Sequence, residues 1–358
     1  MIRSLPSRSS RGALIGAVAV VLSATAVALT NPVPVLTGLN APRGLAVGPA
    51  GRLIYGEFNG AVSELIARGQ NAGDAQLLNA VPATTVAAPA VGTLGGQIFV
   101  LTAQGAPGSG SNTLYRVTNG TVRALADIGA YQVIDPDPYN VTLAPDESNP
   151  FGVAPLPDGS VLVSDAAGND LLRVYPDGDI LTVARLKPRT VTAPGGAGPP
   201  AGTQVLSEAV ATSVTVGADG YYYVGELRGV PATPGTSQVW RIAPNSVNAI
   251  CDPLAPSSGP CQRYKDGFTS IVDLDAGSDG SIYVVELAKQ SWLQWLAGLG
   301  GPPIGSVRRI APNAGAVSEL VPGQLLLPSG IAVTSDNAVY VTGPISPLAG
   351  PGAIKRIQ

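Results

Sequence analysis

One sequence template recurs six times along the 358-residue chain, and this repetition constrains the fold more than any other feature. Each copy has a short apolar strand, a turn that contains Gly or Asn, and a second apolar strand, as in LAVGPAGRLIYG and VAPLPDGSVLVS. The turn residues, spaced by 45 to 63 positions, are Gly51, Gly96, Gly159, Gly220, Gly280 and Asn337. Because Gly and Asn tolerate the positive φ of tight turns, each copy predicts a β-hairpin.

A third strand with an Arg near its centre follows the hairpins, as in LYRVTNG, LLRVYPDG, VWRIAPN and VRRIAPN. A short polar turn and a fourth strand come next, as in TVRAL and ILTVA. Four antiparallel strands per repeat form the blade of a β-propeller. The predicted fold class is therefore all-β, with six four-stranded blades in one ring.

The two ends of the repeat array predict how the ring closes. The chain ends at Gln358, after the third strand of the sixth blade, whereas the strand VPVLTG at 33–38 precedes the first hairpin. We expect this N-terminal strand to complete the last blade as its fourth strand, which would cover an open edge. Residues 29–358 are thus predicted to form a single propeller domain. The insertion LAKQSWLQWLAGLGG at 287–301 is predicted to be helical.

Composition supports this fold class and excludes several functions. Gly (45) and Pro (33) are frequent and charged residues make up only 13%, which disfavours long amphipathic helices. The chain has no His, which excludes Ser-His-Asp and Cys-His mechanisms and the usual His-containing zinc sites. The net charge of −3 and the lack of a basic stripe disfavour nucleic acid as a partner.

The first 28 residues have the pattern of a secretory signal peptide. Three Arg residues precede an apolar run from Ala13 to Leu29, and a small-x-small motif ends at Ala28. The run is short for a membrane span. We therefore predict cleavage near Ala28, a secreted or extracytoplasmic location and no stable membrane span after cleavage. An uncleaved membrane anchor is the alternative.

Secretion changes how the two cysteines of the chain are interpreted. Cys251 and Cys261 enclose nine residues that are rich in Pro and Ser. In an oxidising compartment, two nearby Cys residues usually form a disulfide. The spacing therefore predicts a structural disulfide that closes a short loop.

Four acids occupy the same place in four of the six repeats, at the end of the second strand. They are Glu57, Asp165, Glu226 and Glu286. Equivalent positions in a ring converge on one face near the axis, so these carboxylates could hold a Ca²⁺, which takes six to eight oxygen ligands. The alternative, which we favour, is that each acid accepts backbone N–H bonds in the loop that follows.

A second set of polar residues lies at or just before the innermost strands. Its members are Arg43, Asn149, Thr212, Asp273 and Ser329. They are predicted to line the mouth of the central channel, either as ligand contacts or as a solvated wall. Asp273 replaces the Gly of other copies, and an acid on an inner strand must be solvated or paired. Trp292 and Trp295 could form a lid, a partner patch or a membrane contact, or they could pack on a neighbouring blade.

Taken together, the repeats resemble the ScyD/ScyE family, secreted propellers first associated with synthesis of the pigment scytonemin. The matching stretches cover most of residues 35–358 and include SNPFGVAPLPDGSVLVSDAAGNDLLRV and ATSVTVGADGYYYVGELRGVP. This resemblance implies an extracytoplasmic six-bladed propeller of the NHL/SMP-30-like superfamily. It implies no particular reaction, because most members have no known activity.

The chain also resembles gluconolactonase and paraoxonase-like propellers, which hold a divalent metal in the channel and open lactones. Their metal ligands are acids and Asn on the inner strands. Here Arg43 precedes the first inner strand, where the lactonases have Glu, and Thr212 and Ser213 stand where an acid would be needed. These departures argue against the lactonase mechanism.

We therefore expect a secreted, monomeric, non-catalytic binding or accessory propeller without a cofactor. Its loop-rich face would bind an unidentified small molecule or protein. The alternative is a Ca²⁺-dependent, lactonase-like hydrolase with the metal in the central channel. In that case some of the four acids, together with Asp273, would hold the ion, which would polarise a carbonyl of the substrate.

Overall fold

The computed structural model describes residues 29–84, 86–106 and 108–358. The predicted signal peptide, residues 1–28, lies outside the described residues. Six small antiparallel sheets follow one another along the chain, and the inner strand of each contacts the inner strand of the next. The inner strand of the last sheet contacts that of the first, so the ring closes. The predicted six-bladed β-propeller is confirmed.

The strands of the first half are numbered in chain order after β1 (Val33–Leu39). Blade 1 contains β2 (Leu45–Val47), β3 (Leu53–Gly56), β4 (Ala61–Leu65) and β5 (Ala75–Ala80). Blade 2 contains β6 (Ala90–Leu94), β7 (Gln97–Leu101), β8 (Thr113–Thr118) and β9 (Thr121–Asp127), and it is followed by helix α1 (Ile128–Ile134). Blade 3 contains β10 (Pro150–Pro155), β11 (Val161–Asp165), β12 (Asp170–Val174) and β13 (Ile180–Leu186).

A separate hairpin of β14 (Arg189–Thr192) and β15 (Gln204–Ser207) precedes the second half. Blade 4 contains β16 (Ala211–Val216), β17 (Tyr222–Glu226) and β18 (Ser237–Ile242), then, after β19 (Ala249–Cys251), its outer strand β20 (Cys261–Phe268). Blade 5 contains β21 (Ile271–Ala276), β22 (Ile282–Glu286), β23 (Ile304–Ile310) and β24 (Val317–Leu326), with helix α2 (Trp292–Leu296) between β22 and β23. Blade 6 contains β25 (Ile331–Val333), β26 (Val339–Gly343) and β27 (Gly352–Arg356).

Blade 6 combines the two ends of the described chain. Strand β1 pairs antiparallel with β27, with Val33 opposite Arg356 and Leu39 opposite Gly352. The sheet order is therefore β1-β27-β26-β25, and β1 covers the edge that β27 would otherwise expose.

Glycine at the start of three inner strands lets neighbouring blades approach closely at the axis. A Cβ at Gly330 would lie 1.8 Å from the backbone oxygen of Arg43, and one at Gly44 would lie 2.5 Å from that of Pro89. A Cβ at Gly152 would lie 2.8 Å from the Cα of Ser213. Because each of these neighbours is backbone, a side chain at these positions would push two blades apart.

The disulfide between Cys251 and Cys261 is present, and it connects two blades. Strand β19 leaves blade 4 and pairs parallel with β13, as the fifth strand of blade 3. Cys251 ends β19, whereas Cys261 begins β20 of blade 4. Both cysteines are fully buried in a core cluster that contains residues of both blades. The disulfide therefore links blade 3 to blade 4 covalently, in addition to closing a loop.

Helix α2 is shorter than the helix predicted over 287–301. It covers only Trp292–Leu296, with the Ser291 side chain as its N-terminal cap. Gly298, Gly300 and Gly301 follow, all with positive φ, which ends the helix after little more than one turn. No helix among the residues with described positions has the length and apolar character needed to cross a membrane.

Candidate ligand site at the mouth of the central channel

Two cavities lie along the central channel. The upper one, here called the mouth, has a volume of about 400 Å³ and opens where the inner strands begin. The lower one, here called the chamber, has a volume of about 290 Å³ and is lined by the inner strands of all six blades. Phe151 and Val272 line both cavities, so the two meet at these side chains.

The mouth is apolar. Its wall is formed mainly by aromatic and aliphatic side chains, among them Phe58, Phe151, Leu227, Trp292, Trp295 and Ile345. None of the described residues that line it is Asp, Glu, Lys or Arg. A cavity of this kind favours an uncharged, largely apolar molecule, because an ion entering it would lose hydration without gaining a counter-charge.

Helix α2 forms one wall of the mouth and is held in place by three hydrogen bonds. The indole Nε1 of Trp292 donates to the backbone oxygen of Arg228 at 2.8 Å, and the Trp292 backbone N donates to Ser270 Oγ at 3.0 Å. Gln294 Nε2 donates to the backbone oxygen of Gly195, in the loop between β14 and β15, at 2.8 Å. Both Trp side chains are half-buried and pack against the core of blades 5 and 6. They are therefore fixed wall residues of the mouth.

The rim of the mouth is exposed and also apolar. Leu296, at the end of α2, is 64% exposed, and Leu348, in the short turn after β26, is 96% exposed. Both residues line the mouth. The rim therefore extends the apolar character of the cavity to the protein surface.

Arg43 lies in the chamber, just below the mouth. It is 3% exposed, and its Nε and Nη1 donate to the backbone oxygens of Ala88 and Phe151, each at 2.6 Å. Its guanidinium carbon lies 3.9 Å from the centroid of the Phe151 ring. Burial lowers the pKa of Arg43 to about 10, while the charge of Asp273 acts in the opposite direction. The remaining nitrogen, Nη2, is buried and has no partner within the described part of the chain.

Asp273 and Asp275 face the chamber from β21, where residues two apart share a face. Asp273 accepts from the backbone N of Ile331, and Asp275 accepts from that of Val333, at 2.9 and 2.8 Å. The two carboxylates thereby bond the open edge of β25 in the next blade. Burial raises the pKa of Asp273 to about 7 and that of Asp275 to about 6. Sequence reasoning missed Asp275, although the alternation VDLDA was a signal for it.

The five residues predicted to line the channel divide between the two cavities. Asn149 and Thr212 line the mouth, whereas Arg43, Asp273 and Ser329 line the chamber. The hydroxyls of Thr212 and Ser329 donate to the backbone oxygens of Ile271 and Pro42, both at 2.7 Å. Each of these bonds joins two blades, so the two hydroxyls contribute to the closure of the ring.

The four acids at the ends of the second strands are not gathered into one group. Two are held by bonds within the loops next to them. Asp165 accepts from Ser148 Oγ and from the backbone N of Asn149, at 2.6 and 2.7 Å, and also from the turn that follows it. Glu57 accepts from the backbone N of Asn40 at 2.8 Å.

The other two acids bind side chains of their own blades. Glu226 accepts from Arg228, from Trp240 Nε1 and, at 3.0 Å, from Gln238 Nε2. Glu286 accepts from Ser306 Oγ and, at 2.6 Å, from the backbone N of Thr269. Burial raises the pKa of both carboxyls.

The positions of the four acids at the ends of the second strands do not fit a calcium site. Across residues 29–84, 86–106 and 108–358, no group of three or more His, Cys, Asp or Glu residues is arranged to hold a metal ion. Ca²⁺ requires six to eight oxygens at one point. The oxygens of the four acids instead satisfy donors in four separate blades. The four acids satisfy donors of the protein itself, although only Asp165 accepts backbone N–H bonds from the loop that follows, as expected. Glu226 accepts from side chains instead.

Comparison with known proteins identifies the fold. No protein-family model and no curated protein matches the chain. The PQQ-bound aldose sugar dehydrogenase of Streptomyces coelicolor is similar in structure, with a TM-score of 0.55, 12% identity, and coverage of 93% of this chain and 100% of that one. A gluconolactonase of Xanthomonas campestris has a TM-score of 0.53 and 11% identity, with coverage of 91% and 89%. The calcium-binding protein regucalcin of Agrobacterium tumefaciens has a TM-score of 0.52 and 12% identity, with coverage of 91% and 92%.

Identities this low show the propeller fold alone and carry no function to this chain. PQQ, a quinone with three carboxylates, does not fit the mouth. The described residues that line it include no Lys or Arg to neutralise those charges. Assignment to the ScyD/ScyE family stays a prediction.

Proposed function

We propose that this protein is a non-catalytic binding protein that holds an uncharged, largely apolar small molecule in the mouth of the propeller. One observation carries the proposal: a cavity of about 400 Å³ with two Trp side chains packed against the core and no charged residue among the described residues of its lining. Burial of apolar surface at about 25 cal/mol per Å² supplies the affinity of such a site. The anchored walls reduce the loss of conformational freedom on binding.

The proposed setting is extracytoplasmic. It rests on the charge and hydropathy pattern of residues 1–28 and on the resemblance of the repeats to the secreted ScyD/ScyE propellers. The disulfide between the two cysteines of the chain is consistent with an oxidising compartment. We propose that the secreted form acts as a monomer and without nucleic acid.

The calcium-dependent hydrolase remains the alternative hypothesis. Catalysis is stated in the names of some structural neighbours. The described acids of this chain form no cluster of three or more that could hold a metal ion. Asp273, Asp275 and Ser329 of the chamber are bonded across the blades, which is an architectural role. The binding proposal therefore accounts for more of the geometry than the enzymatic one.

The test uses N-phenyl-1-naphthylamine, an uncharged apolar dye whose emission rises in apolar surroundings. We expect saturable binding with one dye per protein. Trp295→Ala removes one wall of the mouth and is expected to weaken binding at least fivefold, while Ile345→Ala weakens it less. The control is Leu254→Ala, because Leu254 is 93% exposed and does not line the mouth. Absence of saturable binding, or equal affinity in all four proteins, would refute the proposal.

A further inference from the structure

The contact between the mouth and the chamber places a polar group at the bottom of an apolar cavity. The Phe151 ring lines both cavities, and the Arg43 guanidinium lies against it, 3.9 Å from the ring centroid. A molecule that fills the mouth and extends past Phe151 enters the chamber, whose lining includes Arg43 and Asp273. The chemistry at this depth decides which terminal group the molecule can carry.

Arg43 has one nitrogen, Nη2, without a hydrogen-bond partner among the described residues. Its Nε and Nη1 are bonded to backbone oxygens, whereas Nη2 is buried and unpaired among the described residues. A buried donor that lost its water on folding and gained no acceptor is unfavourable. A ligand atom with a lone pair would remove that penalty.

An acceptor side chain, that of Asp273, lines the same chamber as Arg43. The negative charge of Asp273 acts on Arg43, and yet Asp273 does not form an ion pair with it in the part of the chain that the structure describes. Asp273 Oδ1 accepts from the backbone N of Leu274 and Oδ2 from that of Ile331, each at 2.9 Å. A carboxylate oxygen can accept more than one bond, so Asp273 can still receive a donor from the chamber.

We propose that the ligand of the mouth carries an uncharged hydroxyl at the end that enters the channel, accepting from Arg43 Nη2 and donating to Asp273. This inference rests on the proposed function. A hydrocarbon end would leave Nη2 unpaired. A carboxylate end would meet two further acids, Asp273 and Asp275, opposite the single Arg among the described residues of the chamber lining. A hydroxyl matches the donor and the acceptor together.

The experiment measures how three probes of similar size displace the dye from the unchanged protein at pH 7. The probes are 4-butylphenol, 4-butyltoluene and 4-butylbenzoate. We expect the phenol to bind about tenfold more tightly than the toluene, as is typical for hydrogen bonds to charged groups, and more tightly than the benzoate. Equal affinities of phenol and toluene would overturn the hydroxyl while leaving the apolar mouth intact. Tightest binding of the benzoate would overturn it too. If neither the dye nor any probe binds, the proposed function itself fails.

A pair of variants locates the effect. Arg43→Met keeps an apolar stem against Phe151 and removes the donor, so the preference for phenol over toluene is expected to fall below about twofold. Arg52→Met is the matched control, because Arg52 pairs with Glu64 and lines neither cavity. Persistence of the tenfold preference in Arg43→Met would overturn the assignment to Arg43. If that variant does not fold, the three probes on the unchanged protein still decide the question.

Discussion

The carboxyl of Asp273, which is half-buried and faces the chamber, predicts a pH dependence of stability that is opposite to that of an ion-paired acid. Its pKa is about 7 in the folded protein, against an ordinary value of 3.8, and the main cause is burial. The folded state therefore binds the proton more tightly than the unfolded chain does. Stability from this group is fully present below about pH 4 and is lost as the pH rises toward 7.

The magnitude follows from the two pKa values. The difference between 3.8 and about 7 corresponds to about 4 kcal/mol in full, of which about 2.5 kcal/mol is lost between pH 5 and pH 8. Asn does not titrate, so Asp273→Asn removes this loss. The free energy of unfolding of the variant, minus that of the wild type, should therefore rise by about 2.5 kcal/mol from pH 5 to pH 8.

The assay is urea unfolding at pH 5, 6, 7 and 8, followed by the fluorescence of the three Trp residues, of which Trp240 is fully buried in blade 4. Asp336→Asn is the control, because its pairing with Arg68 lowers the pKa of Asp336 below 3.8. Asp336 is therefore ionised in both states across this range, and its variant should differ from the wild type by a constant. A pH-independent difference for Asp273→Asn, or one of the opposite sign, would refute the reasoning.

Three further predictions concern the ring and the acids. Replacing both Cys251 and Cys261 by Ala should lower the free energy of unfolding, measured with urea, by about 3 kcal/mol, given a sequence separation of 10. An unchanged free energy of unfolding would contradict a stabilising role of the disulfide. Gly330→Ala should lower the free energy of unfolding by about 3 kcal/mol or more, because the added Cβ would lie 1.8 Å from the backbone oxygen of Arg43. A thermal midpoint equal to that of the wild type would contradict this close approach of the two blades. Ca²⁺ and EDTA should leave the thermal midpoint unchanged. A rise with Ca²⁺ that Glu226→Gln abolishes would instead support the metal alternative.

The architecture could be predicted from the sequence because it depends on local signals. Gly51, Gly159 and Asn337 all adopt positive φ at the predicted hairpin turns. Alternating apolar residues on either side of such turns favour paired strands wherever they occur in the chain. Six such units can bury their apolar faces only against one another, so the ring follows from the repeat.

The candidate site could be predicted only in part. The sequence pointed to residues at the beginning of the inner strands, and the structure places those residues along the channel, in two different cavities. Their bonding partners were outside the reach of sequence reasoning. Arg43 binds the backbone oxygens of Ala88 and Phe151, which lie 45 and 108 positions away. Backbone groups carry no residue type, so no pattern in the sequence indicates such contacts.

The sequence by itself determined the number of blades, the hairpins, the disulfide pair and the lack of His chemistry, since each depends on residue identity or short spacing. The tertiary structure decided the chemistry of the channel. The apolar mouth forms where Phe58, Phe151, Trp295 and Ile345 from four blades meet, and no pair of these residues is close in sequence. The bonds of Asp273 and of the disulfide reach across to a neighbouring blade. The physical reason is that turns and strands form from neighbouring residues, whereas cavities and inter-blade contacts exist only after the ring has closed.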